Sequence, residues 1–224
     1  MQTYSHLIVT GALQRPLDRL ARHRPHLLPP LRTRALLLGS VLPDLPLIAL
    51  SLVALLRDLF TGIFSRVDFS AIPPGTPPPP ELLDASMTMR LFEVWFFQDP
   101  WVITAYNAFH SPLLVIIYIA VGYAAWRLDR RWGGWFFWLS CAAMLHTLAD
   151  IPLHVTDGPL PLFPLNWTWR FHSPLSYWDP QYHGREWSLF EHTLDVALLL
   201  LLLARNWRRI RDWRQHVMRR GVAS

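Results

Sequence analysis

The residues best suited to chemistry are imidazoles and carboxylates at the ends of apolar runs. His146 and Asp150 close a run that begins at Gly133. On a helix, positions i and i+4 share a face with Cβ atoms about 5–6 Å apart, so this pair can grip one divalent cation. For the pair alone, the competing reading is a hydrogen-bonded histidine followed by an acid where the helix leaves an apolar layer. Ionisable groups at membrane depth are costly and are functional candidates by default. His154 lies four residues past Asp150 and beyond the helix-breaking Pro152, so it can join from a broken helix end. Glu191 and Asp195 stand at i, i+4, and His192 and Asp195 at i, i+3, so either pair can ligate. An acidic first turn that complements the helix dipole is the alternative there. Cys141 is the only cysteine, which excludes an internal disulfide and a thiolate zinc site. A divalent metal is therefore expected on imidazole and carboxylate, a donor set that suits zinc. One or two ions are expected, since two adjacent metals can activate water and stabilise both oxygens of a displacement.

Composition points to a membrane. Hydrophobic residues make up 52% of the 224, twelve are tryptophan, and only 17% are charged, below the roughly 25% of ordinary soluble domains. All 21 basic residues are arginine and the net charge is +5. They cluster at residues 15–34, 127–131 and 205–220, each beside an apolar run. That is the pattern of cytoplasmic membrane flanks rather than of a nucleic-acid face, and no nucleic acid is expected as partner. The first residues lack a basic stretch ahead of their short apolar run, which argues against a cleaved signal peptide.

The expected fold is all-α: a membrane-embedded bundle of about five to six short helices with a polar cluster at one end. One domain is expected over residues 1–204, followed by an arginine-rich cytoplasmic tail, 205–224. Residues 5–13 form a short apolar segment, and 15–30 read as a basic connector broken by proline. Apolar runs follow at 35–42 and 45–56, then a proline-rich loop, 64–80, ending in four prolines that no helix can cross. Residues 81–97 read as an amphipathic helix. The clearest membrane segments are 112–126 and 133–148. A long aromatic, proline-rich loop, 151–187, leads to a last helix at 188–204. Fifteen residues span only about 22 Å, less than the roughly 30 Å hydrocarbon layer, so polar residues at the helix ends fall inside the membrane boundary.

If the arginine clusters face the cytoplasm, the other helix ends share one level outside it. That level collects His6, Asp44, His110, His146 with Asp150, and the Glu191–Asp195 group. Arg170 and Arg185 lie on the same side, where a guanidinium can clamp a phosphate bidentately; snorkelling or aromatic stacking is the alternative for each.

Taken in order, Ser5-His6, Gly39-Ser40-Val41-Leu42-Pro43-Asp44, His110-Ser111 and His146-Thr147-Leu148-Ala149-Asp150 resemble the membrane-bound, LexA-regulated metal-dependent hydrolases, the YdjM-like family. The resemblance covers roughly the first two-thirds of the chain. That family is distantly similar to zinc-dependent phospholipase C and the zinc single-strand nucleases, and the resemblance implies His6, Asp44, His110, His146 and Asp150 as ligands. Pro46 stands where the family often has a second acid, and of its longer His-Arg-Gly-Phe-Thr-His-Ser motif only His110-Ser111 is present. The leading expectation is a multi-pass hydrolase of the bacterial inner membrane. It would act on a phosphoester, a lipid one included, with its site on the non-cytoplasmic side. A non-catalytic membrane protein with a structural or ion-handling cluster is the second expectation. A histidine-nucleophile phosphatase is disfavoured because Ser140 occupies the position where it needs arginine.

Overall fold

A computed structural model describes residues 1–63 and 79–221, with the backbone alone at 208–210 and 212–221. All regular structure among the described residues is helical. Helix α1, Thr3–His23, runs through Pro16 where the sequence suggests a broken connector. A proline inside a helix strands the carbonyl four residues back. Here that carbonyl belongs to Ala12, and Arg205 Nη1 donates to it at 3.2 Å. The stranded acceptor thus finds a donor from another helix, and α1 continues.

Helix α2, Thr33–Gly39, is followed by a tight turn to Asp44. In α3, Leu45–Phe60, Pro46 falls in the first turn, where its missing N–H would have no partner in any case. Residues 64–78 of the proline-rich loop lie outside the described residues. Helix α4 is Pro80–Ala85. Met87–Arg90, a π-helical turn Leu91–Trp95, and Phe96–Gln98 then run on as an interrupted helix, α5. The single helix expected over 81–97 thus breaks at Ser86, whose hydroxyl caps the next turn by accepting from Met89 N at 3.2 Å. Helix α6 is Pro100–Asn107, α7 is Pro112–Arg127, and α8 is Gly133–Asp150, extended by a 3-10 turn Ile151–Leu153. An irregular aromatic stretch leads to α9, Gly184–Gly221. That helix begins earlier than the sequence suggests and carries helical backbone through the arginine-rich tail, since arginine is a strong helix former.

Close packing of α2, α7 and α8 fixes the frame. A Cβ on Gly39 would stand 2.1 Å from the Leu139 carbonyl oxygen, and one on Gly122 would stand 2.6 Å from Phe137 N. Only glycine permits those approaches. Ala35 and Leu36 of α2 pack with Phe137, Trp138, Leu139 and Ala142 of α8, joined by Ala21 from α1.

Two helical stretches, Gly133–Leu153 and Gly184–Trp207, are long and apolar enough to cross a membrane. The bent pair α6 and α7, turned by 48°, makes a third if it is one span. The 24 residues of Gly184–Trp207 reach about 36 Å, enough for a hydrocarbon layer of about 30 Å. Only 11% of that stretch's apolar window is buried in protein, and Leu189, Val196 and Leu200 are exposed. The all-α expectation is met among the described residues, but in place of a membrane-embedded bundle of about five to six short helices there are two clear candidate spans. The polar arginine face of α1 and the shortness of α2 and α3 leave two clear candidates.

Candidate metal centre

Asp150, the last residue of α8, is the hub of the site. Its Oδ1 accepts from His6 Nε2 at 3.0 Å and from the Met1 ammonium at 2.7 Å. Its Oδ2 lies 3.2 Å from His110 Nε2 and 3.1 Å from His146 Nε2. Asp44 closes the other side, with Oδ1 3.3 Å from His146 Nε2. Ligand atoms of Asp44, His110, His146 and Asp150 all fall within 4.8 Å of one another, in a group that could hold a metal ion.

The hydrogen bonds say which nitrogen is free. His146 Nδ1 is 2.7 Å from the Ser40 carbonyl oxygen, to which it donates its proton. Its Nε2 is buried and makes no hydrogen bond of its own, although Asp44 Oδ1 and Asp150 Oδ2 stand 3.3 and 3.1 Å away. Carboxylates have no proton to give it when ionised. Two carboxylates converging on one imidazole nitrogen call for positive charge between them, which a proton on Nε2 or a metal ion supplies. His110 is also fully buried and its Nδ1 has no partner. His6 stacks on His146 with ring centroids 3.6 Å apart. Burial lowers its pKa, with the Asp150 bond working in the opposite sense, so the neutral, ligand-competent form gains.

Local structure delivers each group. The close approach at Gly39 brings Ser40 to α8, and the turn after it presents Asp44 at the start of α3. Thr3 Oγ1 donates to Asp44 Oδ2 at 2.5 Å. Asn107 Oδ1 accepts from Leu160 N at 2.8 Å and Ser111 Oγ donates to the Phe163 carbonyl at 2.9 Å, which pins the bend that carries His110. Thr3 and Asn107 escape sequence reading, because each contributes one hydroxyl or one amide oxygen, and the part Ser40 plays through its backbone carbonyl leaves no mark on its residue type.

Comparison with protein-family models, with curated proteins and with solved structures gives no match. Geometry alone carries the functional reading.

The other expected residues divide into three groups. Glu191 accepts from Gln2 N at 2.7 Å and Trp187 Nε1 at 2.9 Å, while Asp195 accepts from Ser5 Oγ at 2.7 Å. They hold the start of α1, and so His6, against α9. His192 is exposed and stacks on Tyr4 at 6.2 Å, and Arg185 lies exposed beside it on the surface of α9. His154 Nδ1 lies 3.1 Å from Asp157 Oδ1 at the mouth of the site. Arg170 is buried, donates to the carbonyls of Gly158 and Phe96, and stacks over Phe96 and Phe97 at 4.8 and 5.2 Å. Its guanidinium braces Phe96 and Phe97 beside the site instead of facing a phosphate.

One hollow opens onto the centre and a second adjoins it. The first, of about 430 Å³, has Thr3, Asp44 and Asp150 at its polar end and Leu47, Ile48, Leu52, Leu55 and Phe92 along its walls. The second, of about 390 Å³, shares Leu47, Phe92, Tyr106, His154 and Tyr177 and extends to Asp157 and Trp178. Both fall within the size range of small-molecule sites. Burial raises the pKa of Tyr177, keeping its phenol neutral beside these acids.

Proposed function

We propose that this chain is a multi-pass protein of the bacterial inner membrane that hydrolyses a phosphoester, with its site on the non-cytoplasmic side, in keeping with the YdjM-like resemblance. One or two divalent ions, zinc fitting the donors best, would be held by Asp44, His110, His146 and Asp150. The observation that carries this is His146 Nε2, buried between two carboxylates 3.3 and 3.1 Å away, while Nδ1 is committed to Ser40. A divalent ion there supplies the Lewis acidity that activates water near neutral pH and offsets phosphoester charge. The chain's own residues do the remainder. His154, oriented by Asp157, moves a proton at the leaving oxygen, and Tyr106 and Tyr177 keep bulk water from the reacting atoms. Leucines of α3 and Phe92 favour a substrate with an apolar portion, and a lipid phosphoester satisfies both ends of the hollow.

The test is bound metal on purified protein, with turnover of a chromogenic phosphodiester before and after chelation. Stoichiometric metal and chelator-sensitive turnover are expected. Metal no higher than in the His146→Ala/Asp150→Ala double variant ends the proposal. A non-catalytic cluster is the second reading, favoured by the direct bond from His6 that already occupies Asp150 Oδ1; metal without turnover supports it.

A further inference from the structure

At the end of α1 away from His6, a third cavity, of about 610 Å³, opens between α1 and α9. Gln14, Arg15, Arg19, Arg22, Arg205 and Asn206 line it, with Asp18 the one acid among its lining residues. From His6 to Arg22 is sixteen residues, about 24 Å of helix, so this cavity is remote from the metal centre. The two helices are stitched together around it. Arg15 Nη2 donates to the Arg205 carbonyl at 2.8 Å, and Arg205 Nη1 donates to the Ala12 carbonyl at 3.2 Å. These bonds fix two guanidiniums without neutralising them, because their acceptors are neutral carbonyls. Asp18 pairs with Arg22. Four arginines against one acid leave a surplus of three positive charges in the cavity.

The neighbouring surface says what kind of anion this is built for. Leu202 lines the cavity, and Leu199 and Leu203, on the same side of α9, are exposed within Gly184–Trp207. An apolar face ending in a fixed cationic cleft matches a molecule with hydrocarbon at one end and phosphate at the other. Guanidinium forks suit phosphate oxygens, and basic pockets between membrane helices hold anionic head groups. We propose that this cleft binds the phosphate head group of an anionic phospholipid, whose acyl chains lie along α9.

The test uses the full chain purified in a neutral detergent and titrated with dioleoylphosphatidylglycerol, with dioleoylphosphatidylcholine, or with inorganic phosphate, read by lipid retained in native mass spectra. Retention of the anionic lipid at least tenfold above the zwitterionic one is expected, with millimolar phosphate failing to displace it. The Arg15→Gln/Arg19→Gln/Arg22→Gln variant should lose retention about tenfold, while Arg130→Gln/Arg131→Gln, in the loop between α7 and α8, should stay within twofold of wild type. If the triple variant does not fold, Arg19→Gln alone should lose about threefold, since Arg19 is exposed at the cleft. Equal retention of both lipids, equal loss in the loop variant, or displacement by phosphate would each overturn the proposal, the last by making the cleft a site for a free anion.

Discussion

Asp58 and Asp150 are both buried carboxylates in the last turns of apolar helices, α3 and α8. Their surroundings have opposite logic. Among the described residues, Asp58 is met only by groups that bring their own protons: Ser86 Oγ at 2.7 Å, Met87 N and Thr88 N at 2.9 Å, and Arg57 Nη1 at 3.0 Å. Every lone pair is answered, and the result caps the start of α5. Asp150 is met by three imidazoles, one of which, His146, is already committed through Nδ1 to the Ser40 carbonyl. A carboxylate ringed by fixed donors is a joint. One ringed by imidazoles with unanswered nitrogens is a site that a cation completes.

The sharpest way to break that contrast is to remove each charge in turn. Asp150→Asn should lower metal affinity at least about 100-fold, the upper end of the effect of even a supporting residue. Asp58→Asn should leave metal content within twofold. Both are read by elemental analysis of the purified protein. Chelator should lower the thermal midpoint of wild type and leave Asp150→Asn unmoved, because only a protein that binds the ion is stabilised by it. Equal metal in the two variants would erase the distinction.

Stability should show the reverse order. Asp58→Ala strands two backbone N–H groups and a hydroxyl and removes a helix cap, a loss of about 2 kcal/mol or more. The pH dependence sharpens this. Burial pushes the Asp58 carboxyl up, but the Ser86 hydroxyl, the N–H groups of Thr88 and Met87, and Arg57 together hold it well below the usual carboxylate range. A depressed folded pKa contributes stability that is present above the unfolded value, about 3.9, and is lost as pH falls towards the folded one. The gap between wild type and Asp58→Asn should therefore be flat from pH 7 to about 5, then shrink by up to about 1.4 kcal/mol per pH unit below about 4. A gap that widens in acid contradicts the assignment.

Between these in kind is Gly39→Ala, which touches neither carboxylate. Its Cβ would collide with the Leu139 carbonyl oxygen, forcing α2 off α8 and taking the Ser40 carbonyl from His146 Nδ1. Metal affinity should fall roughly tenfold, as for a lost supporting partner, with binding titrations as the measurement. Unchanged affinity would mean that Ser40 does not set the tautomer.

These positions also mark what could be read without coordinates. His146 and Asp150 were legible because helical spacing puts i and i+4 together whatever else the chain does. His6, Asp44 and His110 were legible as members of one level, since apolar runs with arginine at the other end share a direction. Pro16 misled, because the donor that rescues its helix comes from residue 205, nearly two hundred positions away. Glu191 and Asp195 read as ligands by type and spacing, yet they take protons from Gln2 and Ser5; the spacing of carboxylates along one helix carries no information about which donors a distant segment brings to them. Asp58 gave no signal at all, for a capping carboxylate looks in sequence like any other acid.

The finest comparison sets one hydroxyl against another. Thr3 donates to Asp44 at 2.5 Å and Ser86 to Asp58 at 2.7 Å, so each variant, Thr3→Val and Ser86→Ala, removes one short bond to a carboxylate. If both carboxylates were joints, each variant would lose about 1 kcal/mol of stability and nothing else. At the metal centre the bond has a second consequence, because it fixes which Asp44 oxygen is left for a cation. Thr3→Val should therefore weaken metal binding several-fold, up to about tenfold, while Ser86→Ala leaves it unchanged and lowers only the unfolding midpoint. Metal titration and thermal unfolding on the same two preparations decide it: matched losses in stability with identical metal affinity would make Asp44 a joint as well, and would leave the centre with three ligands instead of four.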